Sequence, residues 1–233
     1  MCLTIAAFLT AGDIFSQGLV ADMEVEGLST LYGNECVLTL ESGEEIRGTF
    51  RGGTYINNGL TKINIKLENG EKAKFLPEQV VSLYIKASGL AKLFMISEAT
   101  SSIKEFVNTD FNEIVQREYI IFETATIGKK TDKYRLLQLL NPGFDTQIKV
   151  FAEPGKETGG LSLGGIQVTG GEPRAYLFVK RGEKAVEVKK GSYSKNFEEL
   201  YSDCPVMLQM FQGEKIKWDD IALHVFVYDQ ACK

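Results

Sequence analysis

The stretch from Cys36 to Lys86 leaves a chain few ways to fold. Val37-Leu38-Thr39-Leu40, Ile46 to Phe50, Ile63 to Leu67 and Val80 to Ile85 are short β-branched or alternating runs, and Ser42-Gly43, Asn57-Asn58-Gly59, Asn69-Gly70 and Pro77 separate them. Asn-Gly between such runs is a strong hairpin signal, because both central residues of a type I′ turn need positive φ, which Asn and Gly tolerate. Four short strands joined by tight turns predict a small β-barrel over residues 35–87, a binding or scaffold module.

What precedes it reads differently. Residues 1–16, MCLTIAAFLTAGDIFS, are apolar, too few to span a bilayer as a helix, and end in small residues before Gln17-Gly18. They are expected to be a secretory signal cleaved near Ser16, followed by a linker over 17–34, although no basic residue opens the segment. A buried first strand or helix is the alternative. Its removal would take away Asp13 and no Lys or Arg, so the net charge would move from -5 to -4. That mild acidity lacks the basic face of a nucleic-acid binder. Lys62, Lys66, Lys72 and Lys74 could form a local basic patch, for which solvated strand faces are the simpler account. No later apolar run is long enough for a membrane span.

Ala87-Ser88-Gly89 interrupts the strand pattern and marks the expected boundary with an α+β domain over 88–233. Leu90 to Ser97 (LAKLFMIS) reads as a strand, and Thr100 to Val115 as a weakly periodic helical connection. Tyr119 to Thr126 and Tyr134 to Leu140 are strand candidates, and Asn141-Pro142-Gly143 stops the second. Ile148 to Ala152, Ala175 to Val179 and Ala185 to Val188 continue the β-character. The tail turns helical: Phe197, Leu200 and Tyr201 lie at helical spacing with Ser194 as N-cap, Pro205 suits a first helical position, and Asp219 or Asp220 opens a last helix running to Cys232. The expected fold is therefore mostly β with a helical C-terminal tail.

Few residues suggest chemistry. The loop between Glu153 and Glu172 holds Gly159-Gly160, Gly164-Gly165 and Gly170-Gly171, whose amides could cradle a phosphate, but no Gly-Lys-Ser/Thr or G-x-G-x-x-G is present. It is kept as a candidate binding loop, with Ile166 to Val168 a short strand inside it. Cys204, His224 and one of Asp203, Asp219 or Asp220 are the residue types of a thiol hydrolase, in which an imidazole activates the thiol and a carboxylate orients the ring. His224, among Ile221, Val225, Phe226 and Tyr228, reads more simply as a packed helix residue. One histidine and scattered cysteines give no zinc spacing, no Asp-rich calcium loop is present, and no metal or cofactor is expected. After export Cys36, Cys204 and Cys232 would remain. Cys204 and Cys232, at the two ends of the helical tail, are the expected disulfide, and Cys36 an unpaired core thiol.

The segment Tyr193-x-Lys195-x-Phe197-x3-Tyr201-x-Asp203-Cys204-Pro205, with Cys232 and the upstream LLNPGFDTQIKVF, resembles a group of uncharacterised secreted proteins of Gram-negative anaerobes over Tyr119 to Lys233. That group has no assigned activity, so the resemblance implies export and carries no catalytic residue. Val37 to Ile85 is similar in strand rhythm to Sm-like and SH3-like barrels. Three functions follow as expectations. The first is a non-enzymatic periplasmic or cell-envelope protein that binds an unidentified envelope partner or ligand and no nucleic acid; the second is a thiol-dependent hydrolase; the third is a cytoplasmic Sm-like RNA binder, if residues 1–16 are retained.

Overall fold

A computed structural model describes residues 18–20, 25–55, 59–99, 111–127, 133–152, 162–163, 166–167 and 175–232. Its first unit is a closed barrel. The strands are β1 (Glu35–Leu40), β2 (Glu45–Tyr55), β3 (Leu60–Leu67), β4 (Lys72–Phe75), β5 (Val80–Lys86), β6 (Tyr119–Ile127) and β7 (Lys133–Gln138). They run in the order β2-β1-β5-β6-β7-β3-β4, and β2 also pairs with β3, so six strands close and β4 is appended at an edge. Two of the hairpin signals act as expected: Gly43 and Gly70 have φ of 83° and 88° in the β1–β2 and β3–β4 turns, where a Cβ would be strained, while Asn57 and Asn58 lie outside the described residues.

Closure depends on close backbone approach. β2 shifts register between Phe50 and Gly53, a bulge that bends it around the barrel. At Gly48 a Cβ would lie 2.5 Å from the Lys66 carbonyl oxygen, and at Gly53 2.5 Å from that of Lys62. β3 meets β7 through the single register pair Leu60–Leu136. Alternation then fills the interior with Leu38, Phe50, Ile63, Ile65, Leu83 and Phe122.

The barrel is larger than residues 35–87, because β6 and β7 supply two of its six strands from beyond the boundary expected at Ala87-Ser88-Gly89. Physically, four short strands leave two edges that only further strands can pair. The chain between β5 and β6 covers the barrel. LAKLFMIS is helical, within α1 (Gly89–Ala99), and buries Ala91 and Met95; α2 (Phe111–Gln116) buries Ile114. Ser88 Oγ accepts the Ala91 N–H at 3.2 Å, a helix-start contact that outweighs the apolar run's likeness to a strand. Part of the expected linker is structured too: Val25–Leu31 forms 3-10 turns and buries Leu31 in the barrel core. Of the expected connection Thr100 to Val115, residues 100–110 lie outside the described residues.

The second unit is layered on the barrel wall. β8 (Ile148–Ala152), β11 (Ala175–Lys180) and β12 (Val186–Lys189) form an antiparallel sheet in the order β12-β11-β8, while β9 (Ser162–Leu163) pairs with β10 (Ile166–Gln167). Phe151 and Leu177 pack on Ala125, Leu137 and Leu139 of the barrel side. The opposite face, with Ile148, Val150, Phe178 and Val188, packs on the tail helices α3 (Tyr193–Leu200), α4 (Pro205–Met210) and α5 (Ile221–Ala231). Pro205 opens α4 as expected. The N-cap of α3 is Ser192 rather than Ser194, because a preceding 3-10 turn starts the helix early and places Tyr193 and Phe197 inward. Among the described residues no helix is long and apolar enough to cross a membrane.

Candidate functional site

Among the described residues a cleft of about 350 Å³ lies between α3 and the β11–β12 hairpin. Phe178, Val186, Val188, Tyr193 and Leu200 give it an apolar floor, and Val186 is 49% exposed within it although it shares a strand face with buried Val188. Its polar end is Lys180, two residues after Phe178 and so on the same face of β11, with Asp203 from the turn after α3.

These two groups are tightly engaged. Lys180 Nζ lies 2.5 Å from Asp203 Oδ1 and also donates to the Leu200 carbonyl. Tyr228 donates its hydroxyl to Asp203 Oδ2 at 2.5 Å. The ammonium sits 4.9 Å from the Tyr228 ring centre and 5.7 Å from that of Tyr201, within cation–π range. Burial works against the Asp203 charge, but the hydrogen bonds from Lys180 and Tyr228 outweigh it and hold the carboxyl below its ordinary range.

The disulfide builds this end. Cys204 and Cys232 are bonded, with Cα atoms 5.5 Å apart, as expected from their placement at the ends of the tail. Cys204 fixes its neighbour Asp203, and Cys232 closes the last turn of α5, its N–H bonded to the Tyr228 carbonyl. With Cys204 bridged, that position carries no thiol. Among the described residues Cys36 is the free cysteine, buried, its thiol pushed up to about 12 by burial.

Beneath the floor runs a second polar chain. The hydroxyls of Tyr193 and Tyr201 lie 3.3 Å apart, and that of Tyr193 is 2.9 Å from His224 Nδ1. His224 is only 2% exposed, with the rings of Phe197 and Phe211 at 4.9 and 4.6 Å. Burial lowers its pKa from 6.5 to about 4, with Asp220 opposing, so the ring is neutral at pH 7. Burial also raises the Tyr193 pKa, so its hydroxyl keeps its proton and shares a hydrogen bond with Nδ1 of the neutral imidazole. The packed-residue reading of His224 holds.

This arrangement sets a pH dependence. The folded pKa lies below the unfolded one, so between them the unfolded chain binds the extra proton and stability rises with pH. Stability is expected to be full above about pH 6.5 and to decline as pH falls towards about 4. Melting temperatures taken across that window check it: the decline should flatten in His224→Leu, and an equal slope in both proteins would assign it elsewhere.

Gly159, Gly160, Gly164, Gly165, Gly170 and Gly171 lie outside the described residues. Sequence reasoning missed the Lys180, Asp203 and Tyr228 triangle, although it named Asp203 as a candidate carboxylate beside Cys204. Among the described residues no three His, Cys, Asp or Glu side chains converge as metal ligands. No protein-family model, curated protein or solved structure matches the chain.

Proposed function

We propose that this is an exported, non-enzymatic binding protein of the periplasm or cell envelope whose cleft between α3 and β12 takes a ligand with an apolar segment and a cationic group. The cleft's polar groups carry this reading: Lys180 and Asp203 neutralise one another, and Lys189 pairs with Glu187 at 3.3 Å. Glu183 and Glu199 also line the cleft, and among the described residues neither carboxylate has an ion-pair partner. Two unneutralised carboxylates beside the exposed Val186 suit an apolar, basic ligand such as a short peptide. A lysine held by a carboxylate, a carbonyl and two aromatic rings is poorly placed to act as a nucleophile or base, which favours binding over catalysis.

The disulfide supports export, since such bonds persist in oxidising compartments, and the tail's resemblance to secreted proteins agrees. The thiol-hydrolase alternative would need Cys204 released from its bridge. Two measurements test the proposal. Mass spectrometry of native protein from cell fractions should find a chain processed near Ser16 in the exported fraction; a cytosolic protein that retains Met1 would overturn export. Titration with short Leu/Lys peptides should perturb the NMR signals of Val186 and Leu200, and Glu183→Gln with Glu199→Gln should weaken binding about fivefold, the scale of a partly exposed charge contact. Equal affinity for uncharged peptides would remove the cationic requirement, and unmoved signals would remove the cleft.

A further inference from the structure

Among the described residues, several basic side chains outside β3 and β4 have an acidic neighbour. Lys86 pairs with Glu35, Arg117 with Glu113, Lys149 with Glu123, Lys180 with Asp203 and Lys189 with Glu187. The outward face of β3 and β4 gathers four that have none. Lys62 and Lys66 project from β3 and Lys72 and Lys74 from β4, on the side opposite the buried Ile63 and Ile65. Among the described residues none of the four ammonium groups has a hydrogen bond or ion pair. Lys66 stands directly opposite Lys72 in the ladder. A like-charge cross-strand pair is destabilising, and an acidic chain of net charge -5 had carboxylates to spare for relieving it.

Protection of a sheet edge explains only half of this. β4 is the terminal strand, and lysines there discourage edge-to-edge association. β3 is paired on both sides, by β2 and β4, so Lys62 and Lys66 guard no edge. The register also interleaves polar groups among the charges. Lys66 faces Thr49, Lys62 faces Thr54 and Lys74 faces Asn64, and the side chains of these three neighbours make no hydrogen bond within the described residues. Same-face positions recur about every 6.8 Å along a strand and about 4.8 Å across strands, which makes a two-dimensional array of ammonium groups with hydroxyl and amide groups between them.

We propose that this face docks an acidic polysaccharide, a chain of uronate or sulfated sugars, whose anions meet Lys62, Lys66, Lys72 and Lys74 and whose hydroxyls meet Thr49, Thr54 and Asn64. Surfaces that hold single-stranded nucleic acid add aromatic rings on which bases stack. Here Tyr55 and Phe75 pack against the barrel core instead. A lipid surface takes several apolar anchors beside its lysines; among the described residues of β3, β4 and the segment after β4, the exposed large apolar side chain is Leu76, at 44%. Glu68 and Glu71 lie in the turn at one end, where the Asn69 amide holds Glu71, so the cationic field is strongest away from that turn.

The probes are polygalacturonate and heparin, with an oligonucleotide of equal charge and anionic phospholipid vesicles as comparisons, all offered to the full chain. Both polysaccharides should bind at about 0.1 M salt and release by about 1 M, as the screening length contracts from about 10 Å to about 3 Å. Changing the four lysines to Gln should cost at least about tenfold in affinity with the melting temperature unchanged or slightly raised, since the Lys66–Lys72 repulsion goes with them. Glu183→Gln should leave polysaccharide binding intact, which separates this face from the cleft. Tighter binding to the oligonucleotide, binding only to vesicles, no binding to any probe, or full affinity in the four-lysine variant would each overturn the proposal.

Discussion

Asn141→Asp is expected to be the most damaging conservative change in the second unit. Asn141 is fully buried where the chain leaves β7 and turns towards β8. Its Nδ2 donates to the carbonyls of Phe144 and Ile148 at 2.7 and 2.8 Å, and its Oδ1 accepts the Val150 N–H at 2.8 Å. Aspartate keeps the acceptor and loses both donors. Two buried carbonyls then face a carboxyl group, at roughly 1–3 kcal/mol for each lost partner, with the desolvation of a charge added if it ionises. The sum, on the order of 4 kcal/mol or more, is a large part of the 5–15 kcal/mol that a domain typically has. Urea denaturation should show Asn141→Asp far below the parent, with the deficit relative to the parent larger at pH 7 than at pH 4, where protonation removes the charge. Asn141→Ala should fall less, since it introduces no repulsion. A loss under about 1 kcal/mol for Asp would mean that water replaces the amide.

That position shows what could and could not be read from the residues. Asn141-Pro142-Gly143 announces a turn, but nothing in it tells that the amide reaches nine residues on to Val150. Local signals did better. Ser42-Gly43 and Asn69-Gly70 make the turns they promise, β-branched runs are strands, and Tyr193, Phe197 and Tyr201 in the tail motif lie on the buried face of α3 or just beyond its end. The tail motif is thus largely a packing motif, completed by Asp203 on Lys180 and Cys204 on Cys232. LAKLFMIS misled because Leu90 and Leu93 remain exposed on α1, so its apolar run shows no helical face, and only Ser88 before it carried a start signal. The barrel's closure through Leu60–Leu136 joins positions 76 apart in sequence, a separation that no local pattern encodes. The cleft is similar, since Lys180, Asp203 and Tyr228 meet only after three elements have packed.

Removing the disulfide is the second large effect expected, and it reaches from stability into the cleft. Cys204 and Cys232 close a loop of 28 sequence steps, and restricting the unfolded chain by that much contributes about 3–4 kcal/mol. For a chain of 233 residues this corresponds to a fall in melting temperature of roughly 6–16 °C. Cys204→Ser, Cys232→Ser and the double variant should fall alike, because each removes the same bond and the effects are not additive. Reductant should bring the parent to the same level and do nothing further to the variants. The local consequence separates a cross-link from generic destabilisation. Asp203 precedes Cys204, and Tyr228 lies one helical turn before Cys232, so loss of the bridge frees both partners of the hydrogen bond that helps hold the Asp203 carboxyl below its ordinary range. Its pKa, followed by NMR in the folded variant, should rise towards the ordinary carboxylate value. A variant that melts lower while Asp203 stays depressed would show that packing of Lys180 against Tyr201 and Tyr228 holds the cleft without the bridge. A melting temperature within about 1 °C of the parent would show that helix packing already restricts the chain as much as the disulfide does.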